Sequence, residues 1–239
     1  VAIVCMSVLI WSGPLGAQTL ADAIKQTTNE QFETADASFK ALIQREPNKG
    51  EYYFYYGENF FKNDNEEMAS NMYNKGIELN ATDPLCYIGV GKILWYNKKD
   101  IEAKSNFFKA VTLSQSKNTT VFMKIAEVYI NAENKDIPEA MNLLNKALKL
   151  NDKDPEVYIL FGDAYLEQNN GTEAIKMYNK AIELNKNSVK AIVRIGKLYS
   201  GARNYNDALA RYKEASEKDP SFAPAYREKA EIYYRAGQY

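Results

Sequence analysis

What most constrains this chain is a repeat. An alanine, an aromatic residue or leucine four positions on, and a small residue three beyond that recur along it. They read Ala69/Tyr73/Gly76, Ala103/Phe107/Ala110, Ala140/Leu144/Ala147, Ala174/Tyr178/Ala181 and Ala208/Tyr212/Ala215. Counted from Ala35, successive alanines are 34, 34, 37, 34 and 34 residues apart. Upstream of each lies a second pattern: Tyr53/Tyr56/Gly57/Phe60, Tyr87/Val90/Gly91/Leu94, Phe122/Ile125/Ala126/Tyr129, Tyr158/Phe161/Gly162/Tyr165 and Ile192/Ile195/Gly196/Tyr199. Both patterns have the i, i+3, i+4, i+7 spacing of one helix face. Each unit is therefore two amphipathic helices, A and B, joined by a short turn. One such pair cannot bury its apolar face alone, and stacking many pairs builds a continuous core.

The pattern resembles the tetratricopeptide repeat from Gly16 to Tyr239, most closely in the stretch PEVYILFGDAYLEQNNGTEAIKMYNKAIELN that begins at Pro155. The resemblance implies an all-α fold, a right-handed α-solenoid of antiparallel helix pairs. Units start near Gly16, Gly50, Pro84, Thr119, Pro155, Val189 and Ala223. Asn118 adds a residue after the third unit, and the fourth has two extra in its inter-helix turn, around Asn134-Lys135. Both fall in connections, where added length is tolerated. In the first unit Thr19, Asp22 and Gln26 occupy slots that are apolar elsewhere, the polar face expected of a terminal repeat. Gly57, Gly91, Gly162 and Gly196 each cost a helix interior about 0.8–1 kcal/mol relative to Ala. The expected compensation is close approach of helices A and B.

The termini carry their own expectations. Residues 1–17 read as a secretory signal peptide: an apolar run from Val1 to Trp11, a Ser12-Gly13-Pro14 break, and a small-residue exit at Ala17. The run is shorter than the roughly 20 residues that span a bilayer, and the alternative is a buried terminal helix. On the first reading the solenoid occupies 18–239, Cys5 leaves with the signal, and Cys86 remains as a lone buried thiol. At the other end, Ala223 to Arg235 forms a helix A, and Ala236 to Tyr239 enters the next turn. That reads as a fragment cut inside a seventh repeat, with Tyr226, Ile232 and Tyr233 poorly covered.

Composition narrows the chemistry. With no histidine there is no Ser-His-Asp triad, no imidazole metal ligand and no imidazole pH switch. Two cysteines build no zinc ribbon or iron–sulfur cluster. A net charge of -1 gives no long-range pull toward nucleic acid or anionic membrane. The acidic groups Asp64/Glu66/Glu67 and Asp152/Asp154/Glu156 sit at turns, as caps do. The sequons at Asn80, Asn118 and Asn170 lie in an asparagine-rich chain. No cofactor, no metal and no catalytic residue is expected.

In tetratricopeptide proteins, helix A lines the concave groove, and its fifth, ninth, twelfth and thirteenth unit positions commonly meet the ligand. By register the resemblance implies Phe54, Glu58, Phe61 and Lys62; Ile88, Lys92, Trp95 and Tyr96; Met123, Glu127, Ile130 and Asn131; Ile159, Asp163, Leu166 and Glu167; and Val193, Lys197, Ser200 and Gly201. The fifth position is apolar throughout, which suits an apolar peptide or a partner helix; alternatively these residues pack between neighbouring A helices. Trp95, Tyr96 and Phe61 are the expected aromatic anchors. The Lys/Asn set by which some members clamp a C-terminal carboxylate is absent. The reading is a non-catalytic protein-interaction scaffold exported to the periplasm or outer membrane. The alternatives are the recognition arm of a larger enzyme or envelope-anchoring protein, and a self-associating array.

Overall fold

Thirteen helices alternate as A and B members of the repeat among the residues described, 19–235, in a computed structural model. Residues 1–18, which include Cys5 and the segment 1–17 expected to be a signal peptide, and the residues 236–239 after Arg235 lie outside the described residues. The A helices are α1 (Leu20–Thr28), α3 (Gly50–Lys62), α5 (Pro84–Tyr96), α7 (Thr119–Asn131), α9 (Pro155–Glu167), α11 (Val189–Gly201) and α13 (Ala223–Arg235). The B helices are α2 (Phe32–Arg45), α4 (Glu66–Leu79), α6 (Asp100–Leu113), α8 (Ile137–Leu150), α10 (Gly171–Leu184) and α12 (Tyr205–Lys218). The unit starts read from the sequence coincide with the starts of α3, α5, α7, α9, α11 and α13. The first unit is the exception, since α1 begins at Leu20.

Short polar side chains set the helix boundaries. Asn65, Asp83, Asn118, Asp136, Asp154 and Asn170 each accept a backbone N–H of the first turn they precede. Asn80, Asn151, Asn185 and Asp219 accept the N–H two residues on, folding the connection between units. The sequon asparagines Asn80, Asn118 and Asn170 are thus all capping or turn residues. Thr19 and Asp22 form a capping box that starts α1, and both are exposed.

Within each complete unit the small residue of helix A receives the large residue of helix B. A Cβ added at Gly57 would stand 2.2 Å from the Tyr73 ring, at Gly91 2.5 Å from Phe107, at Gly162 2.3 Å from Tyr178 and at Gly196 2.5 Å from Tyr212. These four glycines let the two helices close to ring contact. The fourth unit differs at both partners, with Ala126 and Leu144 in the equivalent places, both fully buried. Cys86 is also fully buried, and its thiol donates to the Gly50 carbonyl at 3.2 Å. Burial pushes the thiol pKa well up.

Neighbouring A helices touch: α1 with α3, α3 with α5, α5 with α7, α7 with α9, and α11 with α13. Neighbouring B helices among the described residues do not pack in this way. The array therefore curves with its A helices inside. It curves far enough for its ends to meet. Asn29 donates to the Ser221 hydroxyl at 2.6 Å, Lys25 pairs with Asp219 at 3.1 Å, and Arg227 pairs with Glu30. The first unit thus rests on the turn before α13 as well as on the second unit. On the second unit it is anchored by Thr27, which donates to Asn59 at 2.8 Å, and by Asn59, which donates to the Phe32 carbonyl.

One junction breaks the regularity. The turn 132–136 has five residues where 63–65, 97–99, 168–170 and 202–204 have three, and connection 114–118 has five where 80–83 and 151–154 have four. Gln115 and Ser116 both take positive φ, at 52° and 55°. Here α6 parts from the helices that follow, leaving an outer gap of about 580 Å³ lined by Phe107, Phe108, Val111, Phe122 and Tyr129. Phe108 is 74% exposed and Ile101, two turns away on α6, is 84% exposed. In α13, Tyr226 and Tyr233 are exposed as expected, but Ile232 is buried against the Phe222 and Tyr212 cluster.

Candidate functional site

The concave surface holds two adjoining pockets. One lies over α3, α5 and α7 and encloses about 180 Å³, lined by Phe54, Glu58, Phe61, Lys62, Ile88, Lys92, Tyr96, Lys124, Glu127, Val128 and Asn131. The other lies over α9, α11 and α13 and includes Glu156, Ile159, Asp163, Lys190, Val193, Arg194, Lys197 and Glu228. Lys62, Glu127 and Asn131 line both, so the two form one continuous groove.

The expected site residues divide by position. Those at the fifth position, Phe54, Ile88, Met123, Ile159 and Val193, are all buried between A helices and form at most the groove floor. Ile130 is buried with them, while Phe61 and Leu166 are half-buried. Trp95 corrects an expectation. It is only 3% exposed, packed edge-on against Tyr129 with ring centroids 4.7 Å apart, and is no surface anchor. Its indole N–H finds no acceptor among the described residues. Tyr96 and Phe61 do reach the groove, packed edge-on against each other at 5.2 Å.

Charged side chains reach the groove from unit positions two, six, nine and thirteen of several units, among them Lys62, Lys92, Lys124, Glu127, Glu156, Lys190, Arg194 and Lys197. These positions are one helix face, displaced by one residue from the apolar stripe at five and twelve. The groove therefore presents charged walls over an apolar floor that includes Phe54, Ile88, Ile159 and Val193. Sequence reading missed positions two and six, occupied by Glu156, Lys190, Lys124 and Arg194. The signal available was their charge at i, i+4 and i+7 spacing with the ninth position.

Much of this charge is consumed internally. Glu58 is 7% exposed; it accepts from the Tyr73 hydroxyl at 2.7 Å and pairs with Lys92 of the next unit at 3.0 Å. Asp163 is 9% exposed; it accepts from the Tyr178 hydroxyl at 2.6 Å and pairs with Arg194 of the next unit, Nε standing 2.9 Å away and Nη2 donating at 3.0 Å. The same device occurs twice: a B-helix tyrosine steadies an A-helix acid, which holds a cation from the following repeat. Three further pairs complete the lining: Lys124–Glu127 at 2.8 Å, Lys190–Glu156 at 3.0 Å and Lys197–Glu228 at 3.1 Å. Lys92 also stands 3.8 Å from the Phe61 ring centre.

The pKa directions follow from this crowding. Burial works to raise the Glu127 carboxyl, but Lys124, Lys62 and Lys92 override it and hold it well below the ordinary carboxylate range. Glu58 is likewise lowered, Lys92 and Lys124 outweighing burial. For Asp163 burial wins over Arg194 and Tyr178, and its pKa is raised. Burial, with Glu127 and Glu58, pushes the Tyr96 hydroxyl up to about 12.

Comparison with known proteins bears on the fold. Tetratricopeptide-repeat family models match residues 131–195 and 193–239. A TPR repeat-containing protein of Methanocaldococcus jannaschii is 33% identical over 96 residues, which are 40% of this chain and 14% of that protein. The chain thus spans a small part of that curated relative's length. A thermophilic TPR protein of Thermus thermophilus has a similar structure, with a TM-score of 0.62 at 17% identity over 76% of this chain and 97% of that one. The Cut9–Hcn1 hetero-tetramer of the APC/C gives 0.59 at 16% identity over 90% of this chain and 42% of that one.

Proposed function

We propose that this chain, an all-α tetratricopeptide superhelix, is a non-catalytic scaffold that holds an extended segment of a partner protein in its concave groove. The supporting observation is the continuity of the groove: the A helices α3, α5, α7, α9, α11 and α13 contribute to two pockets that share Lys62, Glu127 and Asn131. The pocket over α3–α7 encloses about 180 Å³, the scale of one side chain of an extended segment. We propose further that the apolar leader at 1–17 directs export to the periplasm or outer membrane.

A photo-crosslinking amino acid placed at Lys197 in the groove, and separately at Lys146 on the outer face, tests the first reading in cells. Partner adducts should form from position 197 and not from 146. Adducts from the outer position alone would overturn the groove model. Fractionation of cells producing the full chain tests the second, with recovery of the protein solely in the cytosol as the contrary result.

A second reading draws on the length of the curated relative: repeats of this kind occur there within a much longer protein. On that reading the solenoid is the recognition arm of a larger enzyme or envelope-anchoring protein.

A further inference from the structure

The ion pairs of the groove leave one cation over. Every other lysine or arginine lining the two pockets is paired with a carboxylate. Among the described residues Lys62, at the last turn of α3, makes no hydrogen bond or ion pair. Two more polar groups in its pocket, the Tyr96 hydroxyl and the Asn131 side-chain amide, are also without a hydrogen-bond partner among the described residues. Three N–H or O–H donor groups therefore face one small space in which each carboxylate already has its cation.

Lys62 is exposed at the mouth of the pocket; partial desolvation there lowers its pKa, Lys124 and Lys190 add to this, and Glu127 and Glu58 oppose it. The floor beneath is apolar, from Phe54, Ile88 and the half-buried Phe61, and can take the methylenes of a side chain.

We infer that this pocket receives an acidic side chain, Asp or Glu, from within an extended partner segment, its carboxylate accepting from Lys62 Nζ, the Tyr96 hydroxyl and the Asn131 amide. The inference rests on the groove being the partner-binding face. An internal residue is specified because the groove continues past Lys62 into the second pocket, so a bound segment runs on through it. A space of about 180 Å³ is on the scale of one side chain.

The test uses short fluorescent peptide libraries on the immobilised full chain. Two are blocked at both ends and free of other acids, with Glu or Gln fixed at the centre. A third has no acidic side chain but a free C-terminal carboxylate. Wild type should retain the Glu library about tenfold more than the Gln library, the worth of a charge-assisted hydrogen bond. Lys62→Gln, verified as folded by its melting curve, should abolish that preference, while Lys146→Gln on the outer face should keep it. Equal retention of Glu and Gln libraries would overturn the acidic specificity and leave peptide binding in the groove standing. Preferential retention of the free-carboxylate library would overturn the internal placement. Retention of no library would remove the groove reading itself, and this inference with it.

Discussion

Gly91 in α5 lies so close to Phe107 in α6 that a Cβ there would meet the ring at 2.5 Å. The same relation holds for Gly57 with Tyr73, Gly162 with Tyr178 and Gly196 with Tyr212. Among the second to sixth units only the fourth has alanine here, Ala126, and it alone has leucine, Leu144, in place of the ring; the first unit holds Ala23 and Phe39 in the same core cluster. From the second to the sixth unit, residue size on one helix is thus matched to residue size on its partner.

Gly91→Ala should therefore destabilise, even though alanine is the better helix former by about 1 kcal/mol. Overpacking against Phe107 costs about 1–3 kcal/mol. Adding Phe107→Leu, which copies the Ala126/Leu144 arrangement, should recover part of that loss. Urea unfolding of both variants checks this. A double variant less stable than the sum of its single changes would contradict the size-matching argument.

The two tyrosine–acid contacts predict a contrast. Tyr178→Phe removes a donor from the buried Asp163 and should cost about 1–3 kcal/mol. Tyr212 occupies the same slot, but its unit carries Lys197 where Asp163 would be, and among the described residues its buried hydroxyl meets no acid and has only the Ser200 side chain close by. Tyr212→Phe should then be neutral or mildly stabilising. Equal losses in thermal melts would show that the hydroxyl contact to Asp163 contributes little.

Acid should weaken the groove through Glu127. Its folded pKa lies below the ordinary value of 4.5, so the unfolded chain takes up a proton more readily. The stability it supplies is complete above pH 4.5 and is lost as pH falls from there toward the folded value. Asp163, with a raised pKa, acts in the opposite sense, so the informative quantity is the difference between variants. Glu127→Gln should lower stability at neutral pH and flatten its decline in acid. Parallel stability–pH curves for wild type and variant would contradict it.

Closure of the superhelix should respond to salt. Lys25 and Arg227, whose side chains are 61% and 58% exposed, join the first unit to the last. Such pairs are weak and easily screened, the Debye length falling to about 3 Å at about 1 M salt. Small-angle scattering should show the ends separating at high salt, and Asp219→Ala/Arg227→Ala should show the same at low salt. A scattering curve insensitive to both would mean that helix packing alone sets the curvature.

Much of the architecture was legible beforehand because helix period and capping are local. The repeat placed the starts of six A helices, and the longer connections at 114–118 and 132–136 were readable as register shifts. The site was less legible. Register alone assigned position five to the groove, whereas the rotation of each A helix between its neighbours buries Ile88 and Met123 and turns Lys124 and Arg194 inward. Trp95 shows the same limit, since a large aromatic on helix A serves an interface or a core depending on what faces it, and here Tyr129 does.

The sequence by itself determined the helices, their pairing and their order, since apolar spacing and cap residues act over a few neighbours. Only the tertiary structure decided which face of each A helix meets the groove, which charges cancel there, and that Lys62 is left over. Those outcomes depend on contacts between residues about a repeat apart, and on a closure that joins Lys25 to Asp219. They arise from the balance of packing and desolvation across the whole array, which local spacing does not encode.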